Sequence, residues 1–293
     1  MTEIRLLAVP YEVGALRRGV GRGPERLIEA GAQEALGSEG AKVSVETIEL
    51  QEDLRDRSGA SEAKAAFELI GLVSKAVQRA VEDRAFPVLL SGSCFAGIGV
   101  VTGLAERSPG VVWFDAHGDF NTPESTIDGY FDGMPLAILT GGGWRTMISG
   151  REIRTVPESA VVLAGARDFD PLEQLRLDSS SVHRLAPAAI DSDGAVASAV
   201  DAMDPPPTGL YLHLDLDVID SEEARVNIYS VPDGLSADLL TSQVRSLLDA
   251  RPVRAVSLTA YDPECDPEGR VPPIAMRLLE IVAKRAERAG RDR

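Results

Sequence analysis

The stretch Val111-Val112-Trp113-Phe114-Asp115-Ala116-His117-Gly118-Asp119-Phe120-Asn121 decides how this chain folds. Four apolar residues in a row, two of them β-branched, read as a strand buried on both faces of a parallel sheet; a half-exposed strand would alternate. The run stops on Asp115, His117 and Asp119, ligand-type side chains at every second position. That spacing points side chains to one face of an extended chain. At the C-terminal end of a strand they converge on the mouth of an open α/β sheet, where such folds place their sites. Buried carboxylates without a cation are costly, and a divalent ion offsets the cost best. The competing reading is a salt-bridged strand end with a core histidine.

A second stretch repeats the pattern. Leu210-Tyr211-Leu212-His213-Leu214-Asp215-Leu216-Asp217-Val218 is another buried-type strand, ending in Asp-x-Asp. Two strands that deliver spaced carboxylates to one end of a sheet supply ligands for two divalent ions. Carboxylates with one imidazole suit Mn²⁺, with Fe²⁺, Co²⁺ and Ni²⁺ as alternatives. A pair of such ions can activate water as a nucleophile at neutral pH.

Composition narrows the partners. The 293 residues carry 30 Lys plus Arg against 46 Asp plus Glu, a formal charge of -16. Such a field argues against nucleic acid or an anionic membrane surface as partner and suits a cationic small molecule. The N-terminal Met1–Leu7 has no long apolar segment of the secretory type, and no apolar run reaches membrane-spanning length. Cys94 and Cys265 are the only cysteines, too few and too far apart for a disulfide framework, so a reducing cytoplasm is expected.

Strand-type and helix-type patterns alternate along the chain. Strands are expected at Ile4–Val9, Val43–Leu50, Phe86–Leu90, Val111–Asp115, Val161–Gly165, Leu210–Asp217 and Ala255–Thr259. Helices are expected from Ser61, a cap-type residue, to Asp83, over Met134–Thr140, over 186–203, and over Leu235–Leu248 and Ile274–Ala289. Arg17–Leu27 is a glycine-rich loop running into a helix with Pro24 in its first turn; its spacing fits neither nucleotide fingerprint, and it reads as a loop at the mouth of the sheet. No linker divides the chain. The expectation is one α/β domain over residues 1–293, with helices covering a mostly parallel central sheet.

Asp-Ala-His-x-Asp-x-Asn at 115–121, with Asp-x-Asp at 215–217, resembles the arginase, or ureohydrolase, superfamily. Gly23-Pro24, Asn121-Thr122-Pro123 and Arg167-Asp168-Phe169-Asp170-Pro171 are similar to other segments of that family, so the resemblance covers nearly the whole chain. It implies a three-layer α/β/α sandwich and a dinuclear manganese site. By the resemblance, Asp115 and Asp215 bridge the two metals, Asp119 binds the first and bonds a bridging hydroxide, and His117 and Asp217 complete the second. The hydroxide would attack the carbon of a small guanidino or amidino substrate. Asn121 sits where the family contacts the substrate's α-carboxylate, and Asp170 and Glu173 where it contacts the α-amino group. The family often forms homo-oligomers.

Three departures qualify the resemblance. Where the family has Gly-Gly-Asp-His, with the histidine on the first metal, this chain has Ser91-Gly92-Ser93-Cys94. Cys94 is either a thiolate ligand or a small buried residue; a branch resembling Nω-hydroxy-L-arginine amidinohydrolase has cysteine here. Where arginases place a proton-shuttling histidine, this chain has Asp132, either a proton carrier of raised pKa or a solvated loop aspartate. Where the family's guanidinium-binding glutamate stands, this chain has Ala260, with Asp262 and Glu264 as candidate substitutes. These changes favour an N-hydroxylated arginine over arginine itself. The alternatives are a formimino or other amide substrate on the same metals, and a catalytically decayed binding or scaffold protein. An enzyme built on Cys94 as nucleophile lacks an evident base, because neither His183 nor His213 can be placed beside it from the sequence.

Overall fold

The two apolar runs that end in carboxylates are neighbouring central strands of one parallel sheet. The computed structural model describes residues 2–50, 59–104, 106–190 and 194–291. In chain order, β1 (Glu3–Val9) leads through a small hairpin, β2 (Tyr11–Glu12) and β3 (Ala15–Leu16), to α1 (Gly23–Glu29) and α2 (Ala32–Gly37). Then come β4 (Lys42–Thr47), α3 (Gly59–Glu82), β5 (Phe86–Ser91), α4 (Ala96–Leu104) and β6 (Pro109–Phe114). A long loop carries α5 (Pro135–Leu139) and α6 (Arg145–Ser149), followed by β7 (Val161–Ala164), α7 (Pro171–Ser179), β8 (His183–Leu185) and α8 (Ala195–Ala199). The chain closes with β9 (Gly209–Asp215), α9 (Ala237–Ala250), β10 (Val253–Thr259) and α10 (Val271–Arg291).

The eight-stranded sheet has the order β4-β1-β5-β10-β9-β6-β7-β8, with every pairing parallel. Late strands β9 and β10 therefore fill the gap between β5 and β6. Register aligns the tips of these four: Ser91 pairs with Thr259, Thr259 with Asp215, and Phe114 with Leu214. The residues just past those tips meet at one end of the sheet.

Alternate residues of each strand feed two cores. Val111, Trp113 and Tyr211 face α3 and α4, whereas Val112, Phe114, Leu210, Leu212 and Leu214 face α9 and α10. The result is the expected three-layer α/β/α sandwich. Gly99 and Gly103, one turn apart on α4, let it lie directly on α3, since a Cβ there would stand 2.6 Å from the Ile70 carbonyl oxygen and 2.5 Å from that of Ser74. No described helix is long and apolar enough to cross a membrane.

Several boundaries differ from expectation. The strand expected over Val43–Leu50 stops at Thr47, and α3 starts at Gly59, ahead of Ser61. The helix expected over 186–203 is in part outside the described residues, at 191–193. Its described part is a 3-10 turn at Pro187–Ala189, then α8, which starts only after Gly194 in a left-handed conformation (φ +85) that ends any continuous helix. α9 starts at Ala237 instead of Leu235 because Ser236 caps it, its Oγ accepting from Leu239 N at 3.1 Å. α6 and β8 were not expected.

Candidate metal centre

Both carboxylate-bearing strands end in the same local device. Asp115 turns its Oδ1 back to accept from His117 N at 2.8 Å, and Asp215 does the same with Asp217 N at 2.8 Å. A carboxylate bonding the backbone two residues on bends the chain out of the sheet. The two bends are then tied together, because Ala116 N donates to Asp217 Oδ1 at 3.2 Å. Past β6 and β7 the chains stay side by side, with Asp168 N donating to Ala116 O and a parallel bridge between His117 and Asp168.

The sequence-expected residues come together here. Asp115, Asp119, Asp215 and Asp217 are all buried, as is Cys94. His117 Nδ1 lies 3.2 Å from Asp115 Oδ1 and 3.5 Å from Asp217 Oδ2. Cys94 Sγ lies 2.9 Å from Asp215 Oδ2. Potential ligand atoms of Asp115, His117 and Asp217 fall within 4.8 Å of one another, and so do those of Cys94, Asp115 and His213. Asp115 belongs to both sets. Asp119 adds a buried Oδ2 that has no hydrogen-bond partner, on a residue in the left-handed region (φ +51) that is costly except where surroundings impose it.

Electrostatics state the cost of this cluster. Burial raises the Asp115 carboxyl, and burial together with neighbouring carboxylates raises Asp119 and Asp215 well above the ordinary range. Burial and the same carboxylates hold the Cys94 thiol well above its usual value. Burial alone would lower His117, but Asp217 and Asp115 beside it lift it to about 10. An undischarged cluster of this kind calls for a cation.

The mouth above the cluster is a cleft of about 420 Å³ whose walls, among the described residues, carry no lysine or arginine. Val20, from the glycine-rich loop, lines it, as do Asp128, Asp168, Asp170 and Phe169. Tyr130 and Tyr229 stand on its wall with ring centroids 5.4 Å apart. Asn121 also lines it, but its Nδ2 donates to Asp170 Oδ2 at 3.0 Å and its Oδ1 accepts from Ser125 Oγ at 2.8 Å. Glu173 is buried and spends both oxygens on backbone, Oε1 on Phe120 N at 2.8 Å and Oε2 on Asp170 N at 3.2 Å. Burial lifts its pKa to about 7.

Asp132 is not a solvated loop residue. It is buried, and its carboxylate accepts from Cys94 N at 3.1 Å and Phe95 N at 3.0 Å, just ahead of α4. A carboxylate at a helix N-terminus satisfies orphan donors and complements the helix dipole. Burial nevertheless pushes its pKa up to about 7. Ala260 lines the cleft at a left-handed backbone position (φ +66). The candidate substitutes for it do not reach the cleft: Glu264 pairs with Arg22, and Asp262 accepts from Glu264 N.

Sequence reasoning missed several residues. Asn227 Nδ2 donates 3.0 Å to Asp217 Oδ2 and 3.0 Å to Ala260 O, clamping one carboxylate. Arg167 gives its guanidinium to six backbone carbonyls, among them those of Asp217, Ile219, Val231 and Pro232, and so staples the loops around Asp217. His213, unplaced from sequence, lies beneath Asp215 on β9, where burial holds its pKa well below the usual value. Only the strand parity of 211, 213 and 215 signalled its side.

The model of the arginase family matches residues 2–283. The arginase of Bacillus subtilis (strain 168) is 28% identical over 291 residues, spanning 94% of this chain and 96% of that protein. The N(omega)-hydroxy-L-arginine amidinohydrolase of Streptomyces lavendulae is 29% identical over 223 residues, 74% of this chain and 76% of that one. A crystal structure of the Bacillus subtilis arginase superposes with a TM-score of 0.86 at 27% identity, covering 96% of this chain and 98% of that chain. With that match over nearly its whole length, and the carboxylate cluster in place, this chain belongs to the arginase family and is a hydrolase of the ureohydrolase type.

Proposed function

We propose that the protein is a dinuclear-manganese hydrolase that cleaves a C–N bond of an N-hydroxylated guanidino compound such as Nω-hydroxyarginine. The observation that carries the metal part is the pair of ligand sets sharing Asp115, with Asp119 Oδ2 left unpartnered beside them. Asp115, Asp215, Cys94, Asp119, His117 and Asp217 would hold two divalent ions between them. Four carboxylates and one imidazole against a single sulfur favour Mn²⁺. Ions bound there would polarise the substrate and lower the pKa of water enough for attack at neutral pH.

The chain's own residues do the rest. Asp119 faces the reacting centre with a free oxygen, placed to hold a proton-bearing nucleophile by hydrogen bond. Asp132, with a pKa of about 7, is poised to exchange a proton with the leaving nitrogen while its backbone bonds hold it over Cys94. Asp170 presents a carboxylate to an amino group, and Asn121 and Glu173 hold it in place.

The substrate reading rests on charge. Among the described residues the cleft is lined by carboxylates and by no lysine or arginine, which favours a substrate carrying an amine. Ala260 leaves no anion against the guanidino group, and an N-hydroxyguanidine, less basic than guanidine, requires none. A cysteine-nucleophile mechanism is opposed by the burial and the neighbouring carboxylates that hold the metal-free Cys94 thiol well above its usual value. The reading takes residues 1–293 as one catalytic domain, assembling into a homo-oligomer as its family often does, in a cytoplasm that keeps Cys94 and Cys265 as free thiols.

A substrate panel tests it. The Mn²⁺-loaded protein should release hydroxyurea from Nω-hydroxyarginine faster than urea from arginine or agmatine, and lose the activity on chelation. Faster turnover of arginine would overturn the substrate, and equal rates in chelated enzyme would overturn the metal.

A further inference from the structure

Directly beneath the carboxylates, β9 and β10 bury a second tier of polar side chains: Tyr211, His213, Ser257 and Thr259, each at most 1% exposed. Buried polar groups are paired, so their partners can be traced completely. Thr259 Oγ1 lies 3.2 Å from Cys94 Sγ and 3.2 Å from His213 Nε2. His213 Nδ1 lies 2.9 Å from the Tyr211 hydroxyl, which lies 2.7 Å from Ser257 Oγ. Five side chains thus form one file that ends on the Cys94 sulfur, with one side contact where Thr259 Oγ1 can donate to Leu214 O at 3.4 Å. The His213 ring is fixed by stacking on Trp113, with centroids 3.5 Å apart and planes 6° apart. Trp113 in turn donates Nε1 to Asp115 Oδ2 at 3.0 Å. Gly97 of α4 makes room for the file, since a Cβ there would stand 2.5 Å from the Tyr211 oxygen.

We propose that Thr259, backed by His213, is a positioning residue for Cys94, donating one hydrogen bond that fixes the sulfur when it ligates a metal. The inference rests on Cys94 being a ligand, and its direction follows from counting hydrogens. A ligating sulfur carries no proton and can only accept. The sulfur at 3.2 Å is a nearer acceptor for the single hydrogen of Thr259 than the Leu214 carbonyl oxygen at 3.4 Å, so that hydrogen goes to Sγ and a lone pair faces Nε2. A neutral imidazole has one N–H, so Nε2 carries it and donates to Thr259. Nδ1 is left to accept from the Tyr211 hydroxyl, which would turn its single hydrogen to Nδ1 from Ser257 Oγ, the acceptor it otherwise meets at 2.7 Å. The hydrogens of Thr259, His213 and Tyr211 then all point toward the sulfur. When Cys94 is instead a thiol that donates to Asp215 Oδ2 at 2.9 Å, the file runs the other way: Tyr211 donates to Ser257, Nδ1–H to Tyr211, and Thr259 to Nε2. The two arrangements share the same heavy-atom positions, so the chain is built for the ligating sulfur without rebuilding the core. Outer partners of this kind orient metal ligands and tune the metal.

The test uses Co²⁺, whose bond to a thiolate gives a near-ultraviolet charge-transfer band. The Co²⁺-loaded wild-type chain should show that band, and Cys94→Ser should lose it. Thr259→Val, nearly isosteric, should shift the band to longer wavelength, because the unbonded sulfur gives up charge more easily, and should weaken Co²⁺ affinity about 10–100-fold in chelator competition. Thr259→Ser should restore both. His213→Phe, which keeps the stack on Trp113, should shift the band in the same direction by less. Wild-type band position and affinity in Thr259→Val would overturn the positioning role while leaving Cys94 a ligand. If Thr259→Val does not fold by circular dichroism, His213→Phe decides by the same two readouts. Absence of the band in Co²⁺-loaded wild type would overturn Cys94 as ligand and the proposal with it.

Discussion

The four central strands deliver two different kinds of tip to the same site. β6 and β9 end in Asp115, His117, Asp119, Asp215 and Asp217, charged groups bent over the sheet by the same carboxylate-to-backbone turn. Their neighbours β5 and β10 end in Ser91-Gly92-Ser93-Cys94 and Thr259-Ala260, small and formally neutral. The first pair carries a charge that only a cation can balance, so its residues are constrained by electrostatics. The second pair is constrained mainly by packing and hydrogen bonds. On this side lie Cys94, the Asp132 that caps Cys94 and Phe95, and Ala260, the three positions at odds with what the sequence resemblance implies. The charged β6 and β9 tips keep the expected metal ligands, while the neutral tips carry the altered ligand Cys94 and the altered substrate side at Ala260.

The sharpest way to break this contrast is to remove a charged tip. Asp215→Ala should weaken metal binding by more than the roughly 100-fold upper range of outer-partner changes, measured by metal content after dialysis, whereas Cys94→Ser should keep more of the metal. Equal losses would erase the distinction. Arg167→Ala takes six backbone carbonyls from one side chain and should lower unfolding stability by about 2–4 kcal/mol, given that bonds to a charged donor contribute about 1.5–3 kcal/mol each and water replaces some of them. Denaturant unfolding reads it directly; a change below 0.5 kcal/mol, typical of a plain surface site, would deny the staple.

A third test uses pH on the metal-free protein. Asp132 and Glu173 have folded values of about 7, above ordinary values of 3.8 and 4.5. Groups raised on folding bind protons more tightly when folded, so their contribution is fully present below about pH 4 and is lost as pH rises through 7. The melting temperature of chelated protein should therefore fall between pH 5 and 8 from these groups, and Asp132→Asn should flatten the slope. A slope unchanged in that variant would remove Asp132 from the account. The smallest effect is expected from Ala260→Glu, which should lower KM for unmodified guanidino substrates by about tenfold, near 1.4 kcal/mol, and leave KM for N-hydroxylated ones within a few fold. A drop of the same size for both would place the preference elsewhere.

These contrasts also explain what could be read in advance. The central strands were legible because burial on both faces leaves a continuous apolar run, as in Val111–Phe114 and Leu210–Leu214. β8 was not, because three residues at the sheet edge, none of them buried, leave no apolar run. α6 follows a glycine-rich stretch that reads as a stop, and starts after Trp144 in a left-handed conformation. In the site, Asp115, His117, Asp119, Asp215 and Asp217 announced themselves by spacing within one strand tip. Asp132 beside Cys94, Arg167 on the Asp217 loop and His213 under Thr259 are partners across 38, 50 and 46 positions of the chain. Such contacts are set by the order in which strands join the sheet, which local pattern does not contain.

The central claim, that the β6 and β9 tips hold two metal ions, is tested most directly by elemental mass spectrometry of purified protein after Mn²⁺ loading and removal of free metal. The account predicts close to two manganese ions per chain, falling on replacement of Asp115, the residue common to both ligand sets. A value of one would contradict the paired site, and none after loading would contradict the metal centre altogether.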